Sequence, residues 1–234
     1  VVDLPKDVLI GETLYDGTKP APTKHKTYRP QTKAKATDIQ EAVALIAAAK
    51  RPLFYCGGGI INSGPRASKL LTEFVHMTGY PITLTLMGLG AFPASDKQFL
   101  GMVGMHGTYE SNLAMHDCDL MINIGARFDD RVTGLLSEFS PGSKKIHVDI
   151  DPSSINKNIQ VDLPIIGDCA SVLADMIKVW KETKPRRNRK AHTAWWSNIQ
   201  KWRKRNCLRY DKTKSVIKPQ YALERLYELT KDRD

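Results

Sequence analysis

Nowhere in these 234 residues do about 18 apolar residues run together, so no membrane-spanning helix is expected. No basic-then-apolar leader is visible, and no secretory signal is expected. The four cysteines (Cys56, Cys118, Cys169, Cys207) are scattered without a CxxC pair. That spacing suits reduced thiols in a cytoplasmic compartment better than a disulfide framework or a zinc site. His106 and His116 lack a third partner at metal-ligand spacing. No Ser/His/Asp order and no internal repeat stand out. An initiator Met is also missing. The opening "VVDLPKDV" has the look of a strand already under way, and the closing "ERLYELTKDRD" reads as a helix and an abrupt stop. A piece of a longer polypeptide is expected.

What is present is ordinary for a globular chain: 41% hydrophobic and 26% charged residues, enough for one large or two small domains. The net charge of +10 is local. Residues 178–218 hold 15 Lys and Arg against 2 acids, while the rest holds 20 against 23. A basic patch can be a nucleic-acid footprint. No nucleic-acid motif accompanies it, so a solvated helix or a connector resting on another domain is favoured, with no nucleic-acid partner.

Residues 11–37, rich in Pro, Thr and Lys, read as a surface linker. Thr37 or Asp38 can cap the helix "IQEAVALIAAAK". Five short apolar strands come next, alternating with helical segments: "PLFYC", "YPITLTL", "DLMINIG", "KKIHVDID" and "LPIIGD". The alternation predicts an α/β fold with a parallel sheet flanked by helices. In "HTAWWSNIQKWRKRN", Trp195, Ile199 and Trp202 share one helical face. Stacking platforms for single-stranded nucleic acid would use such aromatics; core packing of a connecting helix is far commoner.

Chemistry should sit beyond the carboxyl ends of parallel strands. Gly-bearing loops recur there: "CGGGI", "MGLGAFP", "GARFDDR", "IDPSS" and "GDCAS". Gly57, Gly58 and Gly59 would let backbone approach a ligand, and the helix after them would offer N–H groups to a phosphate. Asn62 stands where a dinucleotide fingerprint needs its third Gly, so a hydride-transferring enzyme is disfavoured. Asp149 and Asp151 suit ribose hydroxyls or, equally, helix N-capping. Arg127 could stack on an aromatic ring or pair with a phosphate. Asp129 and Asp130 are adjacent, too close for an acid/base pair across a substrate; they are expected to hold neighbouring arginines or the loop backbone.

In order along nearly the whole chain, "GGGIINSGPRASKLL", "LTLMGLGAFP", "GMHGTYESNLAMHDCDLMINIGARFDDRVTG", "HVDIDPSSINKNIQVDLPIIGD" and "CLRYDKTKSVIKPQ" resemble the large catalytic subunits of the acetolactate synthase (acetohydroxyacid synthase) family, bacterial forms most of all. These are thiamine-diphosphate enzymes of three α/β domains. The resemblance implies that residues 1–10 are the tail of the first, pyrimidine-binding domain and 11–37 a linker. Residues 38–184 would be the central FAD-binding domain, and 185–234 a helical connector into the third, diphosphate-binding domain. It places FAD, in a structural role, along His106, Gly107, Thr108, Gly125 and Arg127, along Asp149, Asp151 and Asp168, and beside Gly57, Gly58 and Gly59. It places Met105, Asp130 and Arg131 at the substrate channel.

The family's activating glutamate and its "GDG…N" segment for Mg²⁺ and the diphosphate do not occur here, and Gly167-Asp168-Cys169 is not that segment. No metal ligand is expected in this chain. The implied reaction is a carboligation. One pyruvate loses CO₂ and its two-carbon unit joins a second pyruvate or 2-ketobutyrate, on the route to branched-chain amino acids. The family also implies a homodimer or tetramer with a small regulatory subunit. Competing readings are another FAD-containing thiamine enzyme, such as a glyoxylate carboligase or pyruvate oxidase, and a non-catalytic nucleotide-binding module.

Overall fold

A computed structural model describes residues 4–12, 14, 17, 30–213 and 215–231. Most of the expected 11–37 linker lies outside these residues, as do Val1–Asp3 of the expected opening strand. The described part of that opening is a one-turn helix, α1 (Lys6–Ile10), behind Pro5.

Six parallel strands form one sheet: β1 (Pro52–Cys56), β2 (Ile82–Leu84), β3 (Phe99–Met102), β4 (Leu120–Ile124), β5 (Lys144–Asp149) and β6 (Leu163–Ile166). Their spatial order is β3-β2-β1-β4-β5-β6. The order reverses between β1 and β4, which is where doubly wound sheets open a crevice. The helices are α2 (Ala36–Ala48), α3 (Gly58–Asn62), α4 (Pro65–Thr78), α5 (Tyr109–Asp117), α6 (Asp130–Thr133), α7 (Cys169–Thr183), α8 (Arg189–Arg203) and α9 (Pro219–Thr230).

The fold class agrees with the sequence reading, and all five expected strands form. The sixth, β3, is additional to them. It is an edge strand of four residues, only Leu100 of which is fully buried, and Gly101 inside it has φ of 99°. A short, half-exposed strand with an internal glycine shows neither alternation nor an apolar run. The expected caps of α2 also differ. The helix starts at Ala36 behind Lys35, with no side-chain cap, and Thr37 bonds instead to Asp38 (3.1 Å).

Side chains alternate across each strand, so one sheet serves two cores. Phe54 and Cys56 of β1, with Ile122, Ile124, Ile146 and Val148, face α2, α4 and α7. Leu53, Tyr55 and Met121 face the other way, toward α5 and α8. β1 and β4 are buried along their whole lengths, as central strands covered on both faces must be.

The Trp face of α8 belongs to this second core. Trp195 and Ile199 are buried, and Trp195 stacks edge-on to Trp202 with centroids 5.6 Å apart. The indole of Trp195 donates to Pro52 O and that of Trp196 to Gly79 O, each at 3.0 Å. Helix α8 therefore covers this sheet. By contrast, α9 has no buried residue. Among the described residues no helix is long and apolar enough to cross a membrane.

Because Trp195 fills the core and satisfies a strand-start carbonyl, Trp195→Ala should destabilise the chain by about 3–5 kcal/mol. Ser197→Ala, exposed on the same helix, should change stability by less than about 0.5 kcal/mol. Urea unfolding of the two variants decides this; equal midpoints would show that α8 does not belong to the core.

Candidate functional site

The turn after β1 and the loop after β4 meet at the crevice. A Cβ on Gly57 would fall 2.4 Å from Gly125 O, one on Gly59 2.6 Å from Gly125 Cα, and one on Gly125 2.7 Å from Gly59 Cα. Backbone lies directly on backbone. Gly57 N–H donates to Ile124 O (3.1 Å), Gly59 N–H to Gly125 O (2.9 Å) and Gly125 N–H to Val148 O (2.8 Å). Gly57 precedes and Gly58 and Gly59 begin the one-turn helix α3, and two of their N–H groups are thus engaged inside the protein. Their close approach is to the neighbouring loop. Gly58 is less confined, although a Cβ there would still crowd Met87 (3.2 Å).

Beyond Gly125 the loop is held from below. Asn123 of β4 clamps Ala126 twice, its side chain donating to Ala126 O (2.6 Å) and accepting from Ala126 N–H (3.1 Å). Phe128 is buried at φ of 51°. Asp129 then caps α6, accepting from Arg131 N–H (3.1 Å), and pairs with Arg127 at 2.7 Å. The Arg131 N–H, the neighbouring Asp130 and the Arg127 guanidinium together hold the Asp129 carboxyl below the usual range. Asp129 thus does what was expected of the two acids. Asp130 opens α6, with its side chain exposed.

The loop after β3 joins the same place. Met105 N–H donates to Arg131 O (3.0 Å), and Asn112 bonds both N–H and C=O of Gly104 (2.9 and 3.0 Å). Met105, His106, Arg127 and Arg131 are exposed. Gly107 is dictated by a fold-back: a Cβ there would sit 2.5 Å from Met102 O. Thr108 is a structural cap, donating to Leu100 O (2.6 Å) and accepting from Ser111 N–H (3.3 Å).

Across the crevice, Asp149 accepts Asp151 N–H on Oδ1 (2.9 Å), and its Oδ2 lies 3.7 Å from Nε2 of buried His147. Asp151 caps a short 3₁₀ turn through Ser153 N–H (2.9 Å) and Oγ (2.8 Å), and these bonds lower its pKa. Asp168 caps α7 through Ser171 N–H (3.2 Å) and accepts from Ser63 Oγ (2.7 Å). Of the three acids, Asp149 is the one that does not cap a helical turn.

All the expected residues therefore lie along one sheet edge. The structure joins Gly57 and Gly59 to Gly125, Met105 to Arg131, and Arg127 to Asp129. Sequence reasoning missed Asn123, Phe128, His147 and Ser63. The readable signal for two of them was a polar residue inside an apolar strand, Asn123 in "LMINI" and His147 in "KIHVD". At the opposite edge, a groove of about 400 Å³ touches Arg51, Cys118, Gly142 and Trp195. Burial pushes the Cys118 thiol up to about 11, which leaves it inert at neutral pH.

Comparison with known proteins meets this geometry. The acetolactate synthase large subunit of Haemophilus influenzae is 42% identical over 234 residues, covering 99% of this chain and 40% of that protein. That of Buchnera aphidicola is 44% identical, and the isozyme 3 large subunit of Escherichia coli 42%, each with the same coverage. The chain thus spans about 40% of the length of the curated relatives it matches. Residues 39–176 match the family described as thiamine pyrophosphate enzyme, central domain, and the chain belongs to that family.

Proposed function

We propose that this chain is the central part of an acetolactate synthase catalytic subunit, a transferase that condenses pyruvate with pyruvate or 2-ketobutyrate. The reading is carried by one observation: the 42–44% identity, over 99% of this chain, to acetolactate synthase large subunits. The relatives' names supply the chemistry. Thiamine diphosphate with Mg²⁺, bound mainly by parts of the protein outside this chain, would supply the decarboxylating centre. A small regulatory subunit and a dimeric or tetrameric core would complete the assembly.

FAD would lie along this edge. Supporting it are the switch point between β1 and β4, the exposed guanidinium of Arg127, Asp149 at the end of β5, and the exposed apolar side chains of Leu86 and Met87. The Gly57–Gly59 turn would shape the crevice floor, since most of its donors are engaged. Arg127 would turn from Asp129 to a phosphate or ring; an exposed pair such as theirs is worth under about 1 kcal/mol, so the exchange is easy.

Arg131 would hold the acceptor's carboxylate. Both its backbone groups are fixed, by Asp129 and Met105, so its side chain starts from a defined point. Asp129 pairs with Arg127, which leaves the Arg131 guanidinium outside that ion pair. Asp130 would orient it and Met105 would line the channel.

Three outcomes are expected. The 234 residues alone should form no acetolactate from pyruvate; turnover by the purified fragment would place the whole catalytic machinery within it. In the full-length enzyme, Arg127→Glu should lower retained flavin, measured by absorbance after gel filtration; full retention would move Arg127 off the cofactor. Arg131→Ala should keep flavin and lose roughly 10- to 150-fold in kcat/KM for the acceptor step, the effect of about 1.5–3 kcal/mol for a charge-assisted hydrogen bond. Acceptor kinetics near wild type would leave Arg131 a surface residue.

A further inference from the structure

Between residues 125 and 134 the backbone is left-handed three times, at Gly125 (φ 66°), Phe128 (φ 51°) and Gly134 (φ 58°). Two of the three are glycine, the residue that adopts this conformation without strain. A bulky L-residue there is an outlier that persists only when its surroundings enforce it.

The surroundings are visible. The Phe128 ring packs against Tyr55 (5.7 Å between centroids), Phe139 (5.8 Å, edge-on) and His147 (5.1 Å, edge-on). Tyr55 and His147 belong to one row across the sheet, because each is the register partner of Asn123. Asn123 holds the residue two before Phe128, and Asn158 donates to the Phe128 carbonyl at 2.8 Å. The Tyr55 hydroxyl and both His147 ring nitrogens have no hydrogen-bond partner among the described residues. An apolar ring asks nothing of them, and they lie buried beside it. One residue before this anchor stands Arg127; one and three residues after it stand Asp129 and Arg131.

We propose that Phe128 is the positioning residue of the crevice loop: its ring, seated on Tyr55, Phe139 and His147, enforces the left-handed turn that sets Arg127 and Arg131 at the sheet edge. The kinetic consequence rests on the function proposed above; the structural one does not. Position 128 therefore needs an aromatic ring where local conformation alone would choose glycine.

The test uses full-length protein with Phe128→Gly, which eases the backbone and empties the socket, and Phe128→Leu, which partly refills it. Phe74→Leu, in the core on the other face, is the control for general loss of stability. Amide hydrogen exchange is read at Ala126, Arg131 and Met105, whose N–H groups are bonded to Asn123, Asp129 and Arg131. Phe128→Gly should speed exchange at these amides by about tenfold or more, Phe128→Leu by less, and Phe74→Leu should leave them protected. With pyruvate as substrate, Phe128→Gly should raise KM by about tenfold or more through misplaced arginines while kcat changes less. Unchanged exchange at the three amides, or a Phe128→Gly enzyme with wild-type KM, overturns the proposal. Should the wild-type protein make no acetolactate, the function above falls, and the exchange result alone decides the role of Phe128.

Discussion

Where β1 and β4 leave the sheet side by side, the turn Gly57–Gly59 rests on Gly125 with no room for a side chain between them. Three hydrogen bonds tie that contact into the ends of β4 and β5. A larger residue at Gly57, Gly59 or Gly125 must push one strand end away from another, and with it every loop that leaves the edge. This sheet edge is thus fixed by a backbone contact between the turn after β1 and the loop after β4, and Arg127, Asp130 and Arg131 of that loop stay exposed. Rigid support below and side-chain chemistry above is the arrangement a binding edge needs, because a loop that must present charges cannot also supply its own core.

The loop 125–134 meets that need through a division of labour. Asn123, Phe128 and Asp129 face the protein's own backbone and aromatic rings, and each satisfies or fills something buried or capped. Arg127, Asp130 and Arg131 remain exposed. Asp129 accepts one backbone N–H and one guanidinium, so four charges in five residues do not repel the loop open. Lowering the pH through the depressed pKa of Asp129 would release both contacts together, while above that value they persist.

The strands were legible because a sheet covered on both faces favours short, mostly apolar segments, and β1 and, apart from Asn123, β4 read that way. β3 was not, since one glycine and half-exposure erase the pattern. At the edge, the sequence showed where glycines and acids gather but not what they touch. Gly57 and Gly59 suggested a ligand's approach, and their nearest neighbour is another loop of the same chain. Asp151 was balanced between ribose and cap, and its side chain caps the turn after β5. Phe128 could not be found from the sequence, because a left-handed phenylalanine depends on a socket assembled by β1, β5 and the segment after α6, residues far apart along the chain.

The basic segment takes on a different meaning once it is folded. Its charge reads in sequence as a solvated helix or a connector resting on another domain, and several of its cations answer needs within the fold. The guanidinium of Arg187 donates to Met77 O (3.2 Å) and Thr78 O, carbonyls at the end of α4 that no further helical turn satisfies. Arg203 bonds to Lys97 O (3.0 Å) and Phe99 O, where β3 begins, and Arg205 lies 4.3 Å from the ring centre of Tyr109 at the start of α5. Arg203 reaches its two carbonyls through two different guanidinium nitrogens, a planar fork that lysine lacks. These arginines fasten α8 and the chain on either side of it to strand and helix ends, as Trp195 and Trp196 do through their indole N–H groups. A surplus of positive charge in sequence is, at these positions, a set of donors for backbone oxygens that the sheet and its helices leave open.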